Sequence, residues 1–286
     1  MENDDVPDPA EGPQQRPQSL MLAFFGNHVL GEGDLCVSSG SVIDVLGRVG
    51  VGEQAVRSTL TRMVNRGLLS RQREGRRMYF GLTPHARRIL EDGHARIWTR
   101  GAVDDAWDGT WTLLGFSLPD SWKSRRHDLR SRLAWSGFGP LYSGLWIAPG
   151  EVDVTAVVEE LDLSDHVKVF RAQAVEFTDV DRMIRDTWDL ESIAARYTSF
   201  DARWTPHLAT GTGSDADADA DPIGTRLLLV SEWLWTIRAD PRLPARHLPP
   251  DWPAVPAQET FRRVAARTEE PARSMAREVL ETTRSR

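Results

Sequence analysis

The sequence predicts an α+β chain in three parts: an N-terminal winged helix-turn-helix, a central ferredoxin-like domain and a helical C-terminal domain. Three observations carry this. Residues 38–82 read as two short helices, a tight turn and a basic hairpin. The stretch from Trp111 to Phe177 reads as β-α-β-β-α-β. From Asp179 onward the apolar residues recur mainly at helical spacing.

Residues 1–18 are acidic and proline-rich, with too few apolar groups to offset chain entropy, and are expected to be a disordered tail. The winged-helix domain is expected over 19–103. Leu22, Phe25 and Val29 place a helix over 20–30, and Ser38 or Ser39 can cap the next helix, which carries Val42, Ile43, Val45 and Leu46. A Gly-Val-Gly turn leads into a helix over 53–66 that buries Val56, Leu60, Met63 and Val64 at intervals of three and four. Gly67 ends it. Strands over 68–73 and 77–82 are joined through Glu74, Gly75 and Arg76, with glycine available for a positive φ. A helix over 83–100 leads out.

The ferredoxin-like domain is expected over 104–178. WTLLGFSLP is a strand stopped by proline, and 121–135 is a helix, with Asp120 as its expected cap. PLYSG and LWIAP are strands, 152–161 a helix and 166–177 a last strand. The C-terminal domain, 179–286, is read as helices over 181–205, 223–239 and 257–283. Residues 211–222, an alternating Asp-Ala tract with no apolar face, form an acidic loop. The proline-rich piece DPRLPARHLPPDWP turns the chain between the last two helices.

Charge is unevenly spread. Residues 48–100 hold twelve arginines against four acids, a net of +8, in a chain of formal net charge -7. A basic island in an acidic protein points to a local polyanion site. On the outer face of helix 53–66 stand Gln54, Arg57, Ser58, Thr61 and Arg62. Arginine can bridge guanine O6 and N7, and glutamine adenine N6 and N7, so this face has the chemistry to read base edges. Arg73, Arg76 and Arg77 sit at the hairpin tip, where phosphate or minor-groove contact is expected. A solvated face in a protein-binding module is the alternative.

Other chemistries find less support. Gly50 to Ala55 fits a loose G-x-G-x-x-A, but a helix rather than a strand precedes it, so no dinucleotide site is expected. The seven histidines lack metal-ligand spacing, no G-x-S-x-G elbow occurs, and no metal, cofactor or enzymatic activity is expected. Asp120, after the first central strand, leaves a metal-dependent nuclease as the alternative function. The single cysteine, Cys36, reads as a small buried residue rather than a redox sensor. No apolar run approaches the roughly 18 residues that span a bilayer, and the N-terminus lacks the pattern of a signal peptide, so a cytoplasmic location is expected. Ten of the eleven tryptophans lie beyond Arg100. Most should be core, but an aromatic wall beside Lys123, Arg125, Arg126 or Arg130 would suit an aromatic acyl group attached to phosphates. A solvated helix face is the other reading of those four cations.

Three segments, in this order, resemble the PaaX family of repressors of phenylacetic acid catabolism. They are AVRSTLTRMVNRGLL with REGRRMYFGLT, then WTLLGFSLPDSWKSRRHDLRSRLAWSGFGPLYSGLWIAP, then LLLVSEWLWTIRADPRLPARHLPPDWP. The resemblance runs from about Leu20 to Leu280 and is most specific in the third segment. It implies a winged helix, a ferredoxin-like domain similar to CRISPR-adaptation nucleases, and a helical C-terminal domain. It also implies a homodimer that represses transcription on a double-stranded DNA operator. Release would follow binding of a small effector, an aryl-acyl-CoA such as phenylacetyl-CoA. The acidic tail and the Asp-Ala tract depart from the family pattern.

Overall fold

The structure, a computed structural model, describes residues 16–104, 106–209 and 221–285. The tail expected over 1–18 therefore lies outside the described residues except for its last three, and so does the Asp-Ala tract up to Ala220. The chain divides into two compact units. Among the described residues, one contains 16–100, Phe200–Trp235 and 258–285, and the other contains Gly101–Ser199 and Thr236–Ala257. Residues 179–286, read as one helical domain, are thus shared between them.

The first unit begins with α1 (Pro17–His28), β1 (Leu35–Ser38), α2 (Ser39–Arg48) and α3 (Glu53–Asn65). Ser38 caps α2, its Oγ accepting the Ser41 N–H at 3.1 Å, as the sequence suggests. Gly50 supplies the positive φ, +86°, between α2 and α3. β2 (Leu69–Glu74) and β3 (Arg77–Leu82) pair antiparallel with Glu74 opposite Arg77, leaving a two-residue loop in which Gly75 has φ +59°. α4 (Pro84–Trp98) follows, capped by Thr83. Leu20, Met21, Phe24, Phe25, Val42, Leu46, Val56, Leu60 and Met63 are all buried.

Two strands were invisible in the sequence. β1 pairs with β3, and on its other edge with β8 (Thr282–Arg284), so the sheet order is β2-β3-β1-β8. The helix expected to run to Thr283 therefore ends early, at Val279. Ser41 stops it: its hydroxyl donates to the Val279 carbonyl and accepts the Glu281 N–H at 2.8 Å. The β-branched pair Thr282 and Thr283 then fits the free edge of β1.

The second unit holds β4 (Thr110–Phe116), α5 (Lys123–Trp135), β5 (Gly139–Tyr142), β6 (Leu145–Pro149), α6 (Thr155–Glu160) and β7 (Val167–Gln173). Its antiparallel sheet has order β5-β6-β4-β7, and the expected β-α-β-β-α-β arrangement is present. On one face Leu114, Leu129, Leu133, Phe138, Trp146 and Leu163 form a core. Elsewhere in the unit Trp111 stacks on Trp188, with ring centroids 6.4 Å apart and planes at 21°.

Two local expectations need correction here. Asp120 does not cap α5: the cap position is Trp122, without a side-chain bond, and the exposed Asp120 carboxylate lies 3.7 Å from the Arg126 guanidinium. The single helix expected over 181–205 is two, α7 (Val180–Thr187) and α8 (Leu190–Trp204). Trp188 breaks it by going extended, φ -125° and ψ 138°, which sets its indole against Trp111 and Gly139. Asp189 restarts the helix by accepting the Ser192 N–H at 3.0 Å.

The remaining helices are α9 (Pro206–Ala209), α10 (Pro222–Ile237) and α11 (Ala254–Val279), with a short 3₁₀ turn at Ala245–His247. In the first unit Trp233 of α10 lies flat on Phe261 of α11, centroids 4.8 Å apart and planes at 9°, and Phe200 of α8 closes on the same indole at 5.0 Å. Five of the eleven tryptophans are buried (Trp111, Trp146, Trp188, Trp204 and Trp233), and the other six, expected mostly in the core, are half-buried.

Candidate nucleic-acid interface

α3 is amphipathic, with three of the four expected residues inside; Val64 is only half-buried and Thr59 is buried as well. Val56, Thr59, Leu60 and Met63 are buried, while Gln54, Arg57, Ser58, Thr61 and Arg62 are all exposed on the other side. Gly52 is extended at the N-cap and Glu53 lies in the first turn, where a carboxylate complements the helix dipole. The outer side chains are held by short-range contacts. The Arg57 guanidinium pairs with Glu53 at 2.8 Å, and Arg62 donates to the Thr59 hydroxyl at 3.4 Å. The Ser58 and Thr61 hydroxyls donate to carbonyls within the helix, at 3.0 Å each. Exposed pairs of this kind contribute about 0–1 kcal/mol, so a phosphate or base edge can displace them.

The hairpin carries the second set. Arg73, Arg76 and Arg77 are exposed at its tip. Arg73 Nε donates to the Gly75 carbonyl at 3.1 Å, which folds that side chain over the turn. Arg77 is tied to the Glu281 carboxylate beyond α11. Strand alternation puts a residue that the sequence reading passed over, Arg71, on the same face as Arg73, and it too is exposed. The period-two signal for Arg71 was available. No signal announced Glu281, because it lies some two hundred positions from its partner.

The four cations considered for an effector lie along α5. Arg125 stacks over the Trp122 ring at 4.5 Å and lies 3.9 Å from Asp162. Arg126 donates to the Leu118 carbonyl at 2.8 Å. Arg130 sits 5.8 Å over the Trp146 ring, and Lys123 opens the helix, exposed. Three of the four are thus engaged with their own unit. The described residues contain no group of three or more His, Cys, Asp or Glu side chains placed to share a metal ion. Cys36 is buried, its thiol pushed up by desolvation, with Gly81 so near that a Cβ there would come within 2.6 Å of the sulfur. No helix among the described residues is long and apolar enough to cross a membrane.

One half-buried titratable group contributes to the acid sensitivity of the first unit. His28 ends α1, packs on Phe24 at 5.3 Å, and has its pKa lowered from 6.5 to about 4, first by desolvation and then by the Arg226 charge. Glu32, Glu91, His94, Glu269, Arg273 and Arg277 line the same cleft. The folded state takes up the His28 proton less readily than the unfolded chain. The contribution of His28 to stability is therefore complete above about pH 6.5 and is lost as pH drops toward 4, by roughly 3 kcal/mol in all. Urea unfolding of wild type and His28→Gln across this window should show the difference, with a flatter pH profile in the variant.

Three family models match the chain in succession. They are described as PaaX-like protein (residues 16–86), PaaX protein central Cas2-like domain (104–184) and PaaX-like protein C-terminal domain (188–278). The transcriptional repressor PaaX of Escherichia coli strain K12 is 28% identical over 247 residues, covering 84% of this chain and 77% of the relative. An uncharacterized protein of Mycobacterium tuberculosis, Rv0674, has the same fold, with a TM-score of 0.55 at 21% identity over 91% of this chain and 99% of its own. The succession of three matched segments over nearly the whole described chain leads to one conclusion: this protein belongs to the PaaX family.

Proposed function

We propose that this chain is a sequence-specific DNA-binding regulator of transcription, a repressor whose N-terminal module acts as a winged helix. The observation that carries the reading is the outer face of α3, where Gln54, Arg57, Ser58, Thr61 and Arg62 are all exposed over a fully buried inner face, next in sequence to an arginine-tipped hairpin. α3 enters the major groove, and Arg73, Arg76 and Arg77 grip the flanking backbone or minor groove. The E. coli relative, named a transcriptional repressor, supports the direction of regulation. Two copies related by a two-fold axis read the halves of a pseudo-palindromic operator. A small effector, an aryl-acyl-CoA in the family pattern, releases the DNA by favouring a dimer geometry that mismatches the half-site spacing.

The test is a titration of the purified protein with a duplex from its own upstream region at several salt concentrations, with and without Mg²⁺. The expected result is an affinity that falls linearly on a log-log plot against salt, with a slope of about -0.9 per phosphate neutralised, and with the duplex left intact. Binding that ignores salt would overturn the assignment, and cleavage with Mg²⁺ would favour a nuclease.

A further inference from the structure

The first unit contains an open cleft of about 940 Å³, away from the outer face of α3 and within the size range of small-molecule sites. Its walls come from the end of α1, from α4, α10 and α11, and from the residues around β8. Four groups in it need explaining together. Arg226 of α10 is largely desolvated, donates to the Ala265 carbonyl at 2.8 Å and lies 5.5 Å over the Trp98 ring. The carboxylate that acts on it is that of Glu269, which Arg273 already holds at 2.9 Å. Arg273 is held by Glu270 as well, at 3.3 Å, so its charge is met by two acids. Arg226 has no ion pair of its own within 4 Å among the described residues and only the shared Glu269 to favour its charge. Asn27 lines the same cleft, and its side-chain Nδ2 is buried with no hydrogen-bond partner. A buried donor without an acceptor costs about 1–3 kcal/mol, so an unmatched N–H in a ligand-sized cleft marks the place of an absent acceptor.

We propose that this cleft binds a small organic carboxylate, its oxygens taking the Arg226 guanidinium and the Asn27 amide and its flat apolar body lying on Trp98. A guanidinium fork is matched in shape to a carboxylate, and the unmet donor in the same cleft asks for an acceptor and not for a cation. The site is distinct from the α5 cations, none of which lines the cleft.

The cleft also reaches the hairpin. Leu280 and Thr282 line it, and they flank Glu281. Glu281 accepts the Ser38 N–H at 2.9 Å through its carbonyl and holds Arg77 through its carboxylate. An occupant that shifts Leu280 and Thr282 therefore acts on a residue tied both to the start of α2 and to the hairpin tip. This regulatory step rests on the DNA-binding reading; the ligand site does not.

The probe is benzoate, with benzamide as its neutral isostere, titrated into the full-length protein without DNA and followed by NMR. Benzoate should give saturable shifts of the Asn27 side-chain amide and the Trp98 indole, and benzamide should not. Arg226→Met should weaken benzoate at least about tenfold, the loss of one charge-assisted hydrogen bond, and Asn27→Leu should weaken it less. Arg226→Lys keeps the charge and should retain part of the affinity, which covers the case in which Arg226→Met fails to fold. No shift at either probe group up to tens of millimolar benzoate, or equal shifts from benzamide, overturns the site. Benzoate is then added to the duplex titration. Saturation of the cleft with unchanged DNA affinity overturns the coupling through Glu281. A protein that binds benzoate and no duplex overturns the regulator reading and the coupling with it, and leaves the carboxylate site standing.

Discussion

Replacing Arg57 and Arg62 together by alanine is expected to abolish specific operator binding while leaving the fold intact. Each arginine in bidentate contact with a base contributes about 1–3 kcal/mol of discrimination, so losing both should reduce affinity by two to four orders of magnitude. The stability cost should be small. Both side chains are exposed, Arg57 gives up only a surface pair with Glu53, and Arg62 a 3.4 Å contact to Thr59. Fluorescence anisotropy with specific and scrambled duplexes separates the roles. Loss confined to the specific duplex marks base readout, whereas Arg73→Ala or Arg76→Ala should weaken both duplexes alike and lower the salt slope by about one. Wild-type affinity in the double variant would refute the chosen groove face.

Trp233→Ala carries the largest expected stability change, about 3–5 kcal/mol. The indole is 1% exposed and is sandwiched against Phe261 and Phe200 at 4.8 and 5.0 Å. Truncation removes both ring contacts and opens a cavity between α8, α10 and α11 that rigid helices cannot close. Trp233→Phe keeps a ring on Phe261 and should lose much less. Urea denaturation of the two variants gives the comparison. A midpoint for the alanine variant within error of wild type would mean that these aromatics do not form the core of the first unit.

The helices α2 and α3, the β2–β3 hairpin and the central β-α-β-β-α-β order were legible because their signals are local. A cap at Ser38, glycines at 50, 67 and 75, and apolar residues three and four apart in α3 each act within one turn of chain. The same periodicity picked out the five exposed residues of α3, since a helix that buries one stripe must present the other. Legibility failed where a residue answers to a distant partner. Trp188 leaves its helix for Trp111, and α11 stops at Val279 because of a hydroxyl on α2. Asp120, which local rules assign to a cap, goes instead to Arg126.

The sequence by itself determined the family resemblance, the order of the central β-α-β-β-α-β elements, and a cationic helix face followed by an arginine-tipped hairpin, because propensity, capping and charge are read within a few residues. Tertiary structure alone decided that the last strand closes the hairpin sheet beside β1, that Glu281 meets Arg77, and that Asn27, Trp98 and Arg226 share one cleft. Those contacts join segments up to about 250 residues apart. What selects them is the burial of common apolar surface and the pairing of hydrogen-bonding groups across it, and neither leaves a periodic trace in the chain.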